Sequence, residues 1–156
     1  MAGYISESKT VEHPTPREII NQLELEFGRF QLDPCATHEN AKAPRYFTKE
    51  EDGLIQPWEA ERIYMNPPYG AGMGAWVRKA YEASQLGATV VCLLPARTDT
   101  KWFHEIALKG EIRFIKGRIA FEGSDGVGAP FPSMLLIFRP RQLEAVQSVF
   151  GSHVFS

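Results

Sequence analysis

The segment Arg62-Ile-Tyr-Met-Asn-Pro-Pro-Tyr69 splits into two halves of opposite physics. Arg62-Ile-Tyr-Met65 reads as a short buried strand. Asn66-Pro67-Pro68-Tyr69 cannot continue it, because each proline lacks the N–H that a ladder needs and fixes its own φ. The strand therefore halts in a stiff loop. Trp76, Val77, Ala80 and Ala83 follow at the spacing of one helical face. Beyond them Ala88-Thr-Val-Val-Cys-Leu-Leu94 is an almost unbroken apolar run, the pattern of a central strand covered on both faces. Strand, loop, helix and strand in this order predict an α/β fold, a mainly parallel sheet with helices on both faces.

The flanks extend the pattern. Thr15-Pro16 opens an amphipathic helix, with Thr15 in the N-cap position, Ile19, Ile20, Leu23 and Phe27 on one face, and Gly28 as its stop. Phe30–Asp33 is a short strand broken by Pro34, and residues 37–62 are polar and irregular. Downstream, Trp102, Phe103, Ile106 and Ala107 mark a helix that Thr98 is placed to cap. Glu111–Ile115, Arg118–Phe121 and Ser133–Phe138 are β-rich, with a loop at Gly123–Pro132. This late run of strands predicts an antiparallel hairpin at one edge of the sheet. Leu143, Val146, Val149 and Phe150 place a closing helix over 140–150. The organisation expected is a flexible leader, 1–13, and a single domain, 14–156.

Composition narrows the class. With 44% hydrophobic residues, the 156-residue chain has material for one ordinary core. Cys35 and Cys92 are too few and too far apart for a disulfide framework, which fits a cytoplasmic protein. His13, His38, His104 and His153 lack metal-ligand spacing, so no metal is expected. No apolar run approaches the ~20 residues of a membrane span, and the opening MAGYISESKT lacks the apolar core of a signal peptide. Residues 1–89 hold 9 Lys/Arg against 13 Asp/Glu, and residues 90–156 hold 8 against 6. The second half thus has a modest basic face, fit either for a phosphate backbone or for plain solvation.

The chemistry concentrates at Asn66-Pro67-Pro68-Tyr69, because ligands in open α/β sheets bind at the carboxyl ends of strands. An aromatic exocyclic amine is a poor nucleophile while its lone pair is delocalised into the ring. Two acceptors aimed at its N–H groups draw that pair out, and the Asn66 side-chain oxygen and the Pro67 carbonyl are suitable acceptors. Pro67 and Pro68 stiffen the turn, and Tyr69 offers a face to a planar substrate. Asp33-Pro34-Cys35-Ala36 closes the earlier strand with a carboxylate, which by itself reads first as a strand-end turn and also suits an ammonium group or a bound water. Gly70-Ala-Gly72-Met-Gly74 spells a dinucleotide-type glycine loop, but the next strand ends Leu93-Leu94-Pro95-Ala96 without the acidic residue that such a loop requires. The three glycines read as a pliable loop beside the substrate. Arg97 and Lys101, just past the central strand, are placed to hold phosphate.

These segments resemble the phage-type Dam-like DNA N6-adenine methyltransferases. The likeness runs through "TPREII", "LDPCATHENAKAPRYF", "EEDGLIQPWEAERIYMNPPYG", "TVVCLLPARTDTKWFHEIAL", "EIRFIKGRIAF" and "APFPSMLLIFRP", roughly residues 14–140. It implies a Rossmann-like fold, S-adenosylmethionine as methyl donor, DNA as partner, base flipping, and action in the cytoplasm of a bacterial host. By that likeness Asn66, Pro67, Pro68 and Tyr69 form the catalytic loop. Thr15, Pro16, Asp33, Pro34, Cys35, Ala36, Asp52 and Asn66 face the cofactor. Tyr69, Arg97, Lys101 and Phe131 face the substrate, with Phe131-Pro132 as a second wall for the base. The chain departs from the wider pattern in lacking the glycine-rich cofactor loop, in carrying Asn where many relatives carry Asp, and in having no separate target-recognition domain. A monomer this small is stretched to cover a DNA site, so a homodimer is a further expectation. The same loop also suits other planar nitrogens (cytosine N4, guanine N2 in RNA, protein glutamine), and a non-catalytic DNA-binding relic is the reading outside enzymes.

Overall fold

The computed structural model describes residues 13–141. Its strands are β1 (Leu32–Asp33), β2 (Arg45–Tyr46), β3 (Arg62–Met65), β4 (Thr89–Pro95), β5 (Glu111–Phe114) and β6 (Ser133–Phe138), in the sheet order β2-β1-β3-β4-β6-β5. The helices are α1 (Arg17–Phe27), α2 (Met73–Gln85) and α3 (Lys101–Glu105), the last continued by a 3₁₀ turn at Ala107–Lys109. β1 to β4 pair in parallel. β6 lies antiparallel between β4 and β5.

β4 is the axis of the fold, because successive side chains on a strand alternate faces and both faces here are covered. Val90, Cys92 and Leu94 meet Ile63 and Met65 of β3, α2 through Met73, Trp76, Val77 and Ala80, and Phe103 of α3. Val91 and Leu93 meet Tyr64 of β3 and α1 through Ile20 and Leu23, with Ile119 and Phe121 beside them. All five β4 side chains from Val90 to Leu94 are fully buried. The α2 stripe keeps the three-and-four spacing that a helix needs to present one apolar face.

Several expectations need correction. Arg118–Phe121 is not a strand. Ile119 and Phe121 are buried, but their segment is one limb of a loop, pinched to the other limb by the Ala129 N–H on the Ile119 carbonyl at 2.9 Å. The antiparallel pair at the edge is real, yet β5 and β6 are joined by this long loop and not by a tight hairpin turn. The irregular stretch 37–62 contains β2, too short to carry an alternation signal. β1 begins at Leu32 and not at Phe30, although the Gln31 N–H still reaches the Arg62 carbonyl at 2.9 Å. Thr15 does not cap α1, whose cap position is Pro16, and Thr100 replaces Thr98 as the cap of α3 by accepting the Phe103 N–H at 3.3 Å. Both threonines share the ordinary capping preference, so local chemistry alone does not choose between them. The closing helix expected over 140–150 lies outside the described residues beyond Arg141.

The topology positions the site. From β1 the chain moves outward to β2, then returns to lay β3 on the opposite side of β1. Such a reversal opens a crevice beyond the carboxyl ends of the two strands it separates. The residues there are Asp33, which ends β1, and Asn66, which follows β3.

Leu93→Ala removes a fully buried side chain from the α1 face of β4. It should lower unfolding free energy by ~2–5 kcal/mol in urea titration. A loss below ~1 kcal/mol would show that this face is not core.

Candidate active site

The Asp33 carboxylate is buried beneath the turn that ends β1. Its Oδ1 accepts the Cys35 N–H at 3.3 Å and its Oδ2 the Lys42 N–H at 3.0 Å. Burial pushes its pKa up to about 6, with the Lys42 and Cys35 N–H groups and the Lys42 charge pulling against the rise. The turn itself is stitched to β2, since Phe47 N–H reaches the Asp33 carbonyl and Ala36 N–H the Phe47 carbonyl, both at 3.0 Å. The Cys35 thiol donates to the Asn66 carbonyl at 3.2 Å, which joins the ends of β1 and β3 directly. Burial pushes that thiol's pKa well above its usual range, which favours the neutral thiol.

Both ends of the half-buried Asn66 amide are engaged. Its Nδ2 donates to the His13 carbonyl at 2.6 Å and to Thr15 Oγ1 at 3.3 Å. Its Oδ1 accepts the Tyr69 hydroxyl at 3.0 Å. Thr15 Oγ1 is also hydrogen-bonded to the buried Tyr64 hydroxyl of β3. Residues 13–15 are thus strapped across the end of β3, and this is the work Thr15 does in place of capping. Among the described residues no hydrogen bond ends on the Pro67 carbonyl, so it retains its full accepting capacity.

A cleft of about 420 Å³ opens between these groups. Of the residues expected at a cofactor site, Thr15, Asp33, Pro34, Cys35, Ala36, Asp52 and Asn66 line it, together with Pro67 and Pro68, and Pro16 lies just outside. Asp52 stands at the rim in a left-handed conformation (φ 55°), its Oδ1 accepting the Leu54 N–H at 3.1 Å. Gly53 permits this placement, because a Cβ there would sit 1.9 Å from the Pro34 carbonyl oxygen. The glycines at 70, 72 and 74 do not line the cleft.

Tyr69 and Phe131 lie beside the cleft in an aromatic group, their centroids 5.3 Å apart and edge to face. Burial holds the Tyr69 hydroxyl far above its usual range, hence neutral. Arg97 and Lys101 are exposed, at the carboxyl end of β4 and the start of α3. They are not part of the cleft wall. A larger, more open hollow of about 980 Å³ lies at the amino ends of β1 to β4 among Gln31, Arg45, Trp58, Lys79 and Leu86, away from this chemistry.

Sequence reasoning missed His13, Phe121 and Lys42. His13 is the last residue of the expected leader, and Thr15-Pro16, just beyond it, is the sign in the sequence that order begins nearby. Phe121 has the pattern of a strand residue but lies in the loop. Lys42 serves Asp33 through its backbone N–H, which any residue but proline supplies, so no side-chain signal exists.

Known proteins resemble this chain over most of its length. A family model described as DNA N-6-adenine-methyltransferase (Dam) matches residues 6–153. The DNA N-6-adenine-methyltransferase of Haemophilus phage HP1 is 31% identical over 134 residues, 81% of this chain and 78% of that protein. The DNA N-6-adenine-methyltransferase of Escherichia phage T1 is 35% identical over 92 residues, 58% of this chain, and the match spans only 38% of that protein.

Gly53→Ala should break the contact between the Asp52 turn and the Pro34 carbonyl, because neither backbone can yield cheaply. Overpacking of this kind costs ~1–3 kcal/mol or more. Thermal unfolding checks it, and an unchanged melting temperature would mean that the two turns do not touch.

Proposed function

The chain belongs to the DNA N-6-adenine-methyltransferase (Dam) family, and from that premise we propose that it transfers a methyl group from S-adenosylmethionine to the exocyclic N6 of a flipped adenine in DNA. The observation that carries the reading is the convergence, at one topological switch point, of the buried Asp33 carboxylate and the acceptor loop Asn66-Pro67-Pro68-Tyr69. The mixed sheet with a parallel core and helices against both faces supports a Rossmann-like methyltransferase fold.

The residues fit the donor. A carboxylate offers about four lone-pair positions and Asp33 has used two, so it retains capacity for the donor's ammonium. Asp52, at the rim, is available to the ribose hydroxyls. A cleft of about 420 Å³ is within the usual range for small-ligand sites. When bound, S-adenosylmethionine supplies an electrophilic methyl group on a sulfonium.

The chain's own groups act on the acceptor. Asn66 Oδ1 and the Pro67 carbonyl accept the two N6 hydrogens, localise the lone pair, and stabilise the positive charge that grows on N6 as its bond to carbon forms. The carbon–sulfur bond of the donor breaks as the carbon–nitrogen bond forms, which leaves a neutral thioether, and the surplus proton passes from N6 to solvent. Tyr69 stacks on the base, Phe131 walls it, and Arg97 and Lys101 hold flanking phosphates. A base inside a duplex cannot reach a site set this far into the sheet edge, so it must swing out.

Unmethylated DNA treated with the protein should yield N6-methyladenine by nucleoside mass spectrometry. Asn66→Ala should lower turnover by ~10²–10³ while donor binding persists. N4-methylcytosine alone, or methylated protein glutamine with unmodified DNA, would overturn the substrate. Near-normal turnover in Asn66→Ala would overturn the role of the loop.

The Asp33 carboxyl sets a pH dependence. Its pKa in the free protein is raised to about 6, so the neutral acid dominates below that value and the charge sought by the ammonium is lost. Affinity for S-adenosylhomocysteine should be level above about pH 7 and fall roughly tenfold per unit below about pH 6, as protons compete for the site. Calorimetry across pH 5–8 checks it. Asp33→Asn should bind weakly at every pH without that slope, and a retained slope would assign the titration elsewhere.

A further inference from the structure

The face of Tyr69 on which the proposed reading seats the target base is already covered. The imidazole of His13 stacks on it, centroid to centroid at 5.1 Å and inclined by 25°. The same imidazole meets Phe121 at 5.0 Å and Phe131 at 5.3 Å. Tyr69, Phe121 and Phe131 therefore form a three-sided aromatic box around one planar heteroaromatic ring. The box adjoins the acceptor chemistry, since the Tyr69 hydroxyl is bonded to Asn66 Oδ1.

A base cannot enter while His13 stays. Stacked rings keep centroids at least ~4.5 Å apart, so a base sandwiched between His13 and Tyr69 would need those two rings about 9 Å apart or more. The observed separation is little over half of that. His13 is thus not the far wall of a ready pocket. Its ring is an occupant of the pocket.

The backbone of His13 is held separately from its ring. The carbonyl accepts the Asn66 amide, and Thr15 is tied to Tyr64. The next carbonyl, of Pro14, accepts the Glu122 N–H at 3.0 Å. The imidazole can consequently leave by rotation about its own two side-chain torsions while the strap stays on Asn66. Burial depresses its pKa, which keeps the ring neutral in the box, as a base would be.

We propose that His13 is a placeholder for the target base: its imidazole fills the Tyr69–Phe121–Phe131 box in the absence of DNA and is displaced when the flipped base enters. Phe121 then becomes a wall of the base site alongside Phe131. The proposal rests on the base-flipping reading of the site. The imidazole keeps the apolar box from standing hydrated or collapsed, and makes base entry an exchange of one stacked ring for another. The exchange reduces apparent DNA affinity by the fraction of molecules whose box is open.

The test is kinetic and spectroscopic, on the full chain with unmethylated genomic DNA. His13→Ala should lower KM for DNA roughly three- to tenfold without lowering kcat, and His13→Phe, a ring with no polar edge to draw it out, should raise KM. A higher KM or a lower kcat in a folded His13→Ala would make the ring part of the binding site, and unchanged constants would deny any competition. Either result overturns the proposal. Should His13→Ala fail to fold, the wild-type protein decides: the His13 ring protons should be shifted upfield by their aromatic neighbours in the free protein and return to ordinary positions on saturation with DNA and S-adenosylhomocysteine. Persistence of the upfield shift in the complex refutes displacement. Absence of any N6-methyladenine from the wild type would instead be a failure of the underlying reading.

Discussion

The structure depends on the chain reversal at β1. Because the chain leaves β1 for β2 and returns to form β3 on the other side, two loops that follow different strands are forced apart in direction yet remain adjacent in space. The Cys35 thiol on the Asn66 carbonyl marks how close they come. The central groups of the site are attached to one loop or the other. Asp33 and the turn after it belong to the first; Asn66, Tyr69 and the strap across them belong to the second. The rigid support beneath both is β4, fully buried, which fixes β3 over four register positions.

Asp33 illustrates how such a site trades stability for function. A buried carboxylate is costly, and two backbone N–H groups only partly offset the loss of water, which is why its pKa is raised and not lowered. The unmet capacity faces a cleft. A group that is uncomfortable alone and satisfied by an ammonium is a reasonable device for donor binding. On the proposed reading, the β1 turn and the Asp52–Gly53 turn, which meet where Gly53 lies against the Pro34 carbonyl, take the place of a glycine-rich cofactor loop.

The aromatic group on the other side solves a different problem. Tyr69 comes from the loop after β3, Phe121 and Phe131 from the long connection between β5 and β6, and His13 from the strap before α1. Each is far from the others in sequence. With no separate recognition domain among the described residues, the β5–β6 connection is the element that both walls the box and reaches outward, its tip from Glu122 to Gly128 largely exposed.

Periodicity and backbone restriction made much of this legible without coordinates. The apolar density of β3, β4 and β6, the helical spacing in α1 and α2, and the stop imposed by Pro67-Pro68 are all properties of short stretches, and the elements lie within a residue or so of the ranges they imply. The placement of Asn66 and Asp33 at strand ends is likewise legible, because Pro34 and Pro67 each stop the strand before them. What only the tertiary structure decided was how distant segments meet. The limb at Arg118–Phe121 has strand-like residues but no strand beside it to pair with, so it became loop. Thr15 has a cap's chemistry, but Tyr64 and Asn66 compete for its hydroxyl. Lys42 and His13 act through a backbone N–H and a ring whose partners are set by the reversal at β1 and by the β5–β6 connection. Local sequence specifies the conformations a segment prefers. The partners it will find are set by the packing of the whole sheet, and no window of the sequence contains them.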